Sequence, residues 1–158
     1  MPSVGKSTVG VVVAKITGRK FVDTDLVIQE KYGLLPSLIT SLGAEKFIAL
    51  ENEVVSSLNF DNSVIATGGN VVYGKEAMEH LRAISTVVYL RAPVSELEKR
   101  IEPFEVRGVV TTGATTVSEL YDERKDLYEK YADIVVDENG SLSDTISAVI
   151  KAVKCAEF

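Results

Sequence analysis

The stretch Val4-Gly5-Lys6-Ser7-Thr8-Val9-Gly10-Val11-Val12-Val13-Ala14 decides how the rest of the chain is read. Glycine at position 5 lets the backbone turn so that successive N–H groups point inward. Lys6 and Ser7 follow at once, and an apolar helix starts there, setting the positive end of its dipole over the turn. A turn built this way cradles phosphate oxygens. Lys6 would carry a mobile charge to the β- and γ-phosphates of ATP, and Ser7 would offer its hydroxyl to Mg²⁺. Val4, Gly5, Lys6, Ser7 and Thr8 are therefore the candidate nucleotide-binding residues. Gly-Lys-Ser alone is a weak signal; the helix behind it and an acid-tipped strand after that helix make it a strong one.

Working outward, the chain alternates between two periodicities. Short β-rich runs at 20–23, 63–67, 86–91 and 133–137 lie between stretches with helical spacing at 6–17, 25–32, 44–58, 75–82, 94–101, 116–131 and 142–153. This alternation predicts an α/β fold in three layers, a parallel sheet flanked by helices. Val64-Ile65-Ala66 is continuously apolar, as a buried parallel strand should be. Thr116-x-x-Glu119 has capping-box spacing, Ser141 precedes the last helix, and Pro93 suits a first-turn position. Residues 1–158 read as one domain. The loose segment at 102–115, broken by Pro103, Gly108 and Gly113, is read as a lid with the glycines as hinges.

A phosphate loop of the form G-x-x-x-x-G-K-[ST] follows a buried strand, and its first glycine would fall one position before Met1. The first strand of such a sheet is usually central. The expectation is a chain that lacks this first, central strand, with Met1 an internal methionine of a longer protein. Direct pairing of 64–66 with 87–89 would contradict it.

Composition excludes several classes of function. The formal charge of −6 and the absence of a Lys/Arg cluster argue against a nucleic-acid partner. The longest apolar run, near 9–14, is too short to span a bilayer, and no leader-like segment opens the sequence. A cytoplasmic monomer acting on a small molecule, with no membrane partner, is expected. Cys155 and His80 are the only residues of their kinds, which leaves no disulfide framework and no His or Cys metal cluster. Neither is given a role, and His80 reads as a helix-surface residue.

Phe21-Val22-Asp23-Thr24-Asp25 places two carboxylates two residues apart at the C-terminal end of a strand. In open α/β sheets ligands sit at that end, so both acids lean toward the phosphate loop. One can serve Mg²⁺ while the other orients or deprotonates a hydroxyl. The plainer alternative is that Asp25 caps the following helix.

With these residues on the page, the chain resembles the shikimate kinases over nearly its whole length. The matching stretches are Gly5-Lys6-Ser7-Thr8-Val9-Gly10, Phe21-Val22-Asp23-Thr24-Asp25, Phe47-x-x-x-Glu51, Val64-Ile65-Ala66-Thr67-Gly68-Gly69 and Arg124-x-x-Leu127-Tyr128-x-x-x-Ala132-Asp133. The resemblance implies a P-loop kinase fold with a moving lid, and ATP-dependent phosphorylation of the shikimate 3-hydroxyl. It implies that Ser7 and Asp23 serve Mg²⁺ and that Asp25 contacts the reacting hydroxyl. Glu51 would orient a neighbouring side chain, Gly68 and Gly69 would lie against the acceptor, and Arg124 would grip its carboxylate. Arg107 would be the lid arginine, joining Lys6 and Asp25 as the catalytic set.

The departures cluster on the acceptor side. Ile48 stands where the family has a second carboxylate-gripping arginine, and Asn70 replaces the third glycine of Gly-Gly-Gly. Losing one charge-assisted pair weakens acceptor binding by about 10- to 100-fold. Asn70 is expected to put a side chain where bare backbone faces the acceptor. In the lid, Arg107-Gly108 replaces the common Arg-Pro. Arg82, Arg91 and Arg100 are the candidates to restore the missing grip. The competing readings are a kinase of another polyol or hydroxy acid, and an ATP-binding module without turnover. A nucleoside monophosphate kinase is weaker, for want of an aromatic platform to stack a base.

Overall fold

The computed structural model describes residues 1–101, 103 and 109–156. Gly5 takes a left-handed conformation, φ 90°, and delivers the chain into α1, Lys6–Thr17. Gly18, also left-handed at φ 68°, closes the helix by donating its N–H to Ala14 O. Strand β1, Lys20–Asp23, then runs directly into α2, Thr24–Tyr32. A second helix, α3, Leu35–Leu42, was not anticipated from the sequence. Its signals are Pro36 in the first turn and an apolar row at Leu35, Leu38, Ile39 and Leu42.

The remaining elements are α4 (Ala44–Ser56), β2 (Ser63–Ala66), a 3₁₀ turn at Val71–Tyr73, α5 (Lys75–Ile84) and β3 (Val88–Arg91). They are followed by α6 (Val94–Arg100), α7 (Val117–Tyr131), β4 (Ile134–Asp137) and α8 (Leu142–Ala156). Every expected strand and helix is present, with ends displaced by no more than three residues. Thr116 and Glu119 close the expected capping box on α7. Pro93 is the N-cap of α6 rather than a first-turn residue. His80 leaves the surface role expected of it: its Nε2 meets Leu58 O at 2.6 Å. Among the described residues, no helix is long and apolar enough to cross a membrane.

The strands form two parallel pairs, β1 with β2 and β3 with β4. Phe21 registers with Val64 and Asp23 with Ala66, so the acid tip of β1 stands beside the start of the Gly68-Gly69 turn. β2 and β3 are not hydrogen-bonded to each other, as the sequence reading required. Between them lies a slot of about 740 Å³, lined by Val9 and Val13 of α1, Ile65 and Ala66 of β2, Leu90 of β3 and Val149 of α8. The core closes around it through the buried Val55, Met78, Leu81, Leu97 and Leu120. α1 packs on β1, β2 and α8, which fixes the phosphate loop over the ends of the first strand pair.

In parallel strands the amides alternate between the two edges. Within β2 and β3, amides facing the slot should therefore exchange with solvent at least about 10-fold faster than those bonded to β1 and β4. Hydrogen exchange resolved by residue measures this; uniform protection along both strands would contradict the split sheet.

Candidate functional site

Three chain turns converge at the C-terminal ends of β1 and β2. Asp23 ends β1 and caps α2, accepting the Asp25 N–H at 3.0 Å. The capping role thus belongs to Asp23, which leaves the Asp25 side chain to face the cavity. The other Asp23 oxygen accepts from Ser7 Oγ at 2.6 Å, joining the phosphate loop to β1. Thr24, between the two acids, is fully buried, and its Oγ1 accepts the Gly68 N–H at 3.2 Å. That bond ties the ends of the paired strands together.

A cavity of about 300 Å³ opens where these turns meet, lined among others by Gly5, Lys6, Ser7, Asp25, Gly68 and Asn70. Val4 is buried beneath the loop, while Ser7 and Thr8 are exposed. Lys6 Nζ donates to Met1 O at 2.8 Å. Burial pushes the Lys6 ammonium down to about 8, against the opposing pull of Asp25. Burial and the neighbouring Asp23 raise the Asp25 carboxyl above its usual range, with Lys6 opposing. A raised carboxyl is better matched to accepting a hydroxyl proton near neutral pH.

Behind Gly69 and Asn70, which line that cavity, stands Arg124 of α7, whose side chain has no exposure. Its Nε donates to Tyr73 OH at 3.0 Å and its Nη2 to Asn70 Oδ1 at 2.8 Å. Nη2 also donates to Val110 O, within the segment 102–115, and Tyr73 OH bonds Glu123. Nη1 is buried with no hydrogen-bond partner and lies 3.2 Å from where a Gly69 Cβ would stand. Tyr128 OH donates to Gly69 O at 2.7 Å, fixing the glycine turn against α7. Among the described residues one guanidinium nitrogen, with two N–H donors, is therefore left over next to bare backbone for a ligand.

The candidate residues Lys6, Ser7, Asp23, Asp25, Gly68, Gly69 and Arg124 are thus brought to one end of the fold. Arg107 and Gly108 lie outside the described residues. Asn70 is mostly buried at φ −84°, so it needs no left-handed turn; it lines the cavity, as expected of a side chain there, and its Oδ1 also accepts from Arg124. Arg82 pairs with Asp133, Arg91 with Asp137 and Glu129, and Arg100 with Glu138. None of the three lines the cavity, so none restores the grip lost at Ile48. Thr24, Tyr73 and Tyr128 escaped the sequence reading, because their partners lie 44 to 59 residues away.

Mg²⁺ takes oxygen ligands and binds through one or two carboxylates together with substrate phosphates and water. Ser7 Oγ beside Asp23 Oδ2 offers such a hard-oxygen pair next to the phosphate loop. Among the described residues no group of three or more His, Cys, Asp or Glu forms a cage that would bind a metal without phosphate.

The shikimate kinase family model matches residues 2–154. The chain belongs to the shikimate kinase family. It is 35% identical to shikimate kinase 2 of Enterobacter sp. (strain 638), over 96% of this chain and 91% of the relative. It is 36% identical to shikimate kinase of Clostridium botulinum (strain Eklund 17B / Type B), over 97% and 92%. The crystal structure of shikimate kinase from Aquifex aeolicus superposes with TM-score 0.85 at 26% identity, covering 100% of this chain and 95% of that one. The shikimate kinase of Acinetobacter baumannii in complex with shikimate gives TM-score 0.81 at 26% identity, over 99% and 90%. The chain is accordingly a shikimate kinase family phosphotransferase, with ATP as phosphate donor and an alcohol group as acceptor.

Asn70→Ala should strip Arg124 of its side-chain acceptor on Nη2. Hydrogen bonds to charged groups contribute about 1.5–3 kcal/mol, and denaturant unfolding should show a loss of that size. An unchanged midpoint would mean that Asn70 does not restrain Arg124.

Proposed function

We propose that the chain transfers the γ-phosphoryl group of ATP to the 3-hydroxyl of shikimate. The observation that carries this reading is the Arg124 Nη1, unpartnered among the described residues and buried directly behind Gly69, which lines the cavity with Lys6 and Asp25. A buried guanidinium donor with no partner calls for an anionic oxygen, and the carboxylate of a small hydroxy acid supplies one. With that carboxylate on Arg124, the far side of the acceptor faces Asp25 and the phosphate loop across a cavity of about 300 Å³. The Acinetobacter baumannii relative, which binds shikimate, supports the same acceptor.

Asp25 accepts the hydrogen bond of the attacking hydroxyl and turns its oxygen toward the γ-phosphorus. The new P–O bond forms as the bond to the β,γ-bridging oxygen breaks, ADP leaves, and the hydroxyl proton passes to Asp25 and then to solvent. Lys6, and Arg107 from the lid segment 102–115, neutralise charge on the equatorial oxygens. Mg²⁺, held by Ser7 and Asp23 together with phosphate oxygens, supplies further neutralisation when bound. Gly68 and Gly69 admit the acceptor close to backbone. The net charge of −6 supports a small-molecule partner over nucleic acid, and we place the enzyme as a cytoplasmic monomer.

An ADP-release assay with shikimate and a panel of other hydroxy acids and polyols tests the acceptor. Shikimate should give the highest kcat/KM; a higher value for another acceptor reassigns the substrate, and no acceptor-stimulated ADP from any of them leaves only an ATP-binding module. Asp25→Asn should lower kcat by on the order of 10²-fold with little change in ATP affinity. Lys6→Ala should impair both, and full turnover in Asp25→Asn would remove its assigned role.

A further inference from the structure

Glu51 of α4 is 1% exposed, and neither of its carboxyl oxygens has a hydrogen-bond partner. One of them lies 2.5 Å from the place a Gly68 Cβ would occupy, and an Asp25 oxygen lies 2.7 Å from the same place. Gly68 therefore has no side chain because two acids already flank it. Glu51 itself does not line the ligand cavity; it stands behind Gly68, against Asp25. Position 48, one helical turn earlier on the same face, carries isoleucine and offers no counter-charge.

The charged and titratable groups facing Glu51 are Asp25 of α2, Lys6 of α1, and Arg124 and Tyr128 of α7. Arg124 directs its bonded donors to Tyr73, Asn70 and Val110, and Lys6 directs its own to Met1 O. Among the described residues no donor is aimed at Glu51, and its nearest acid is Asp25. An unpaired carboxylate in that setting is costly, whereas the neutral acid removes the charge and gains an O–H donor.

We propose that Glu51 is a positioning residue that works as a neutral acid, its O–H directed at Asp25, so that the pair turns one negative charge toward the acceptor hydroxyl. Asp25 then has a fixed orientation without a side chain at Gly68 and without an arginine at position 48. This deepens the kinase reading above and rests on it. Burial first, and Asp25 second, push the Glu51 carboxyl up to about 8, while Arg124 and Lys6 pull the other way. Glu51 therefore releases its proton to solvent just above neutral pH, and Asp25 then loses its donor and faces a like charge.

Two measurements test the proposal. In protein labelled with ¹³C at glutamate carboxyls, one carboxyl should titrate near pH 8, vanish in Glu51→Gln, and fall toward the ordinary carboxylate range in Ile48→Arg, where a guanidinium faces it. This needs no acceptor, so a Glu51 titrating in the ordinary range overturns the proposal whatever the activity. At saturating ATP, kcat/KM for the acceptor should fall about 10-fold between pH 7 and pH 9 in the native chain. In Glu51→Gln, whose amide donates at every pH, the fall should be less than about two-fold, because the phosphates of saturating ATP hold the Lys6 ammonium charged across this range. An equal fall in Glu51→Gln assigns the limb to Lys6 and overturns the positioning role. A carboxyl titrating near 8 with no phosphorylation of any acceptor overturns the kinase reading, and the positioning role with it.

Discussion

Arg124 is the constraint on which the acceptor side of the molecule rests. A guanidinium does not shed its proton, so burying it obliges the fold to surround it with acceptors. Those acceptors come from distant parts of the chain: Asn70 and Tyr73 after β2, and Val110 between α6 and α7. The requirement therefore fixes α7, the glycine turn and the 3₁₀ turn relative to one another. It also leaves Nη1 without a partner, at the one place where backbone without a side chain comes close. Three partners hold the guanidinium rigidly, which lowers the ordering cost of any further bond it makes.

The nucleotide side depends on a different economy of parts. Asp23 both caps α2 and receives the Ser7 hydroxyl, so the same side chain sets the helix start and anchors the phosphate loop. Thr24 then locks β1 to the Gly68-Gly69 turn by a bond in a fully buried setting. The split between the two strand pairs lies immediately below this machinery, with α1 spanning from the loop along the slot. Backbone groups on the facing edges of β2 and β3 have no strand partner across it, so they must find partners within the slot or in solvent. The stability of the loop is thus linked to how those edges are satisfied.

Much of this was legible in the sequence, for reasons that differ by residue. Gly5, Lys6 and Ser7 declare themselves because a left-handed turn into a helix needs that order of residues. The aspartates at 23 and 25 declare themselves because a strand end with alternating acids has few structural uses. The apolar run Val64-Ile65-Ala66 marked a buried strand. What escaped was long-range. Asn70 looked like an intrusion on the acceptor, because nothing local says that Arg124 stands opposite it. Nothing local says that the hydroxyls of Tyr73 and Tyr128 meet Arg124 and Gly69. Helix α3 was obscured by Gly33 and Gly43, which close α2 and open α4 on either side of it.

The central claim is that the unpartnered Nη1 of a buried guanidinium recognises the acceptor's carboxylate. It is tested most directly by comparing shikimate with its carboxamide in the native chain, at saturating ATP and neutral pH. Replacing a charge-assisted bond by a neutral one should lower acceptor kcat/KM by about 10- to 100-fold. Equal kcat/KM for the two acceptors would contradict it.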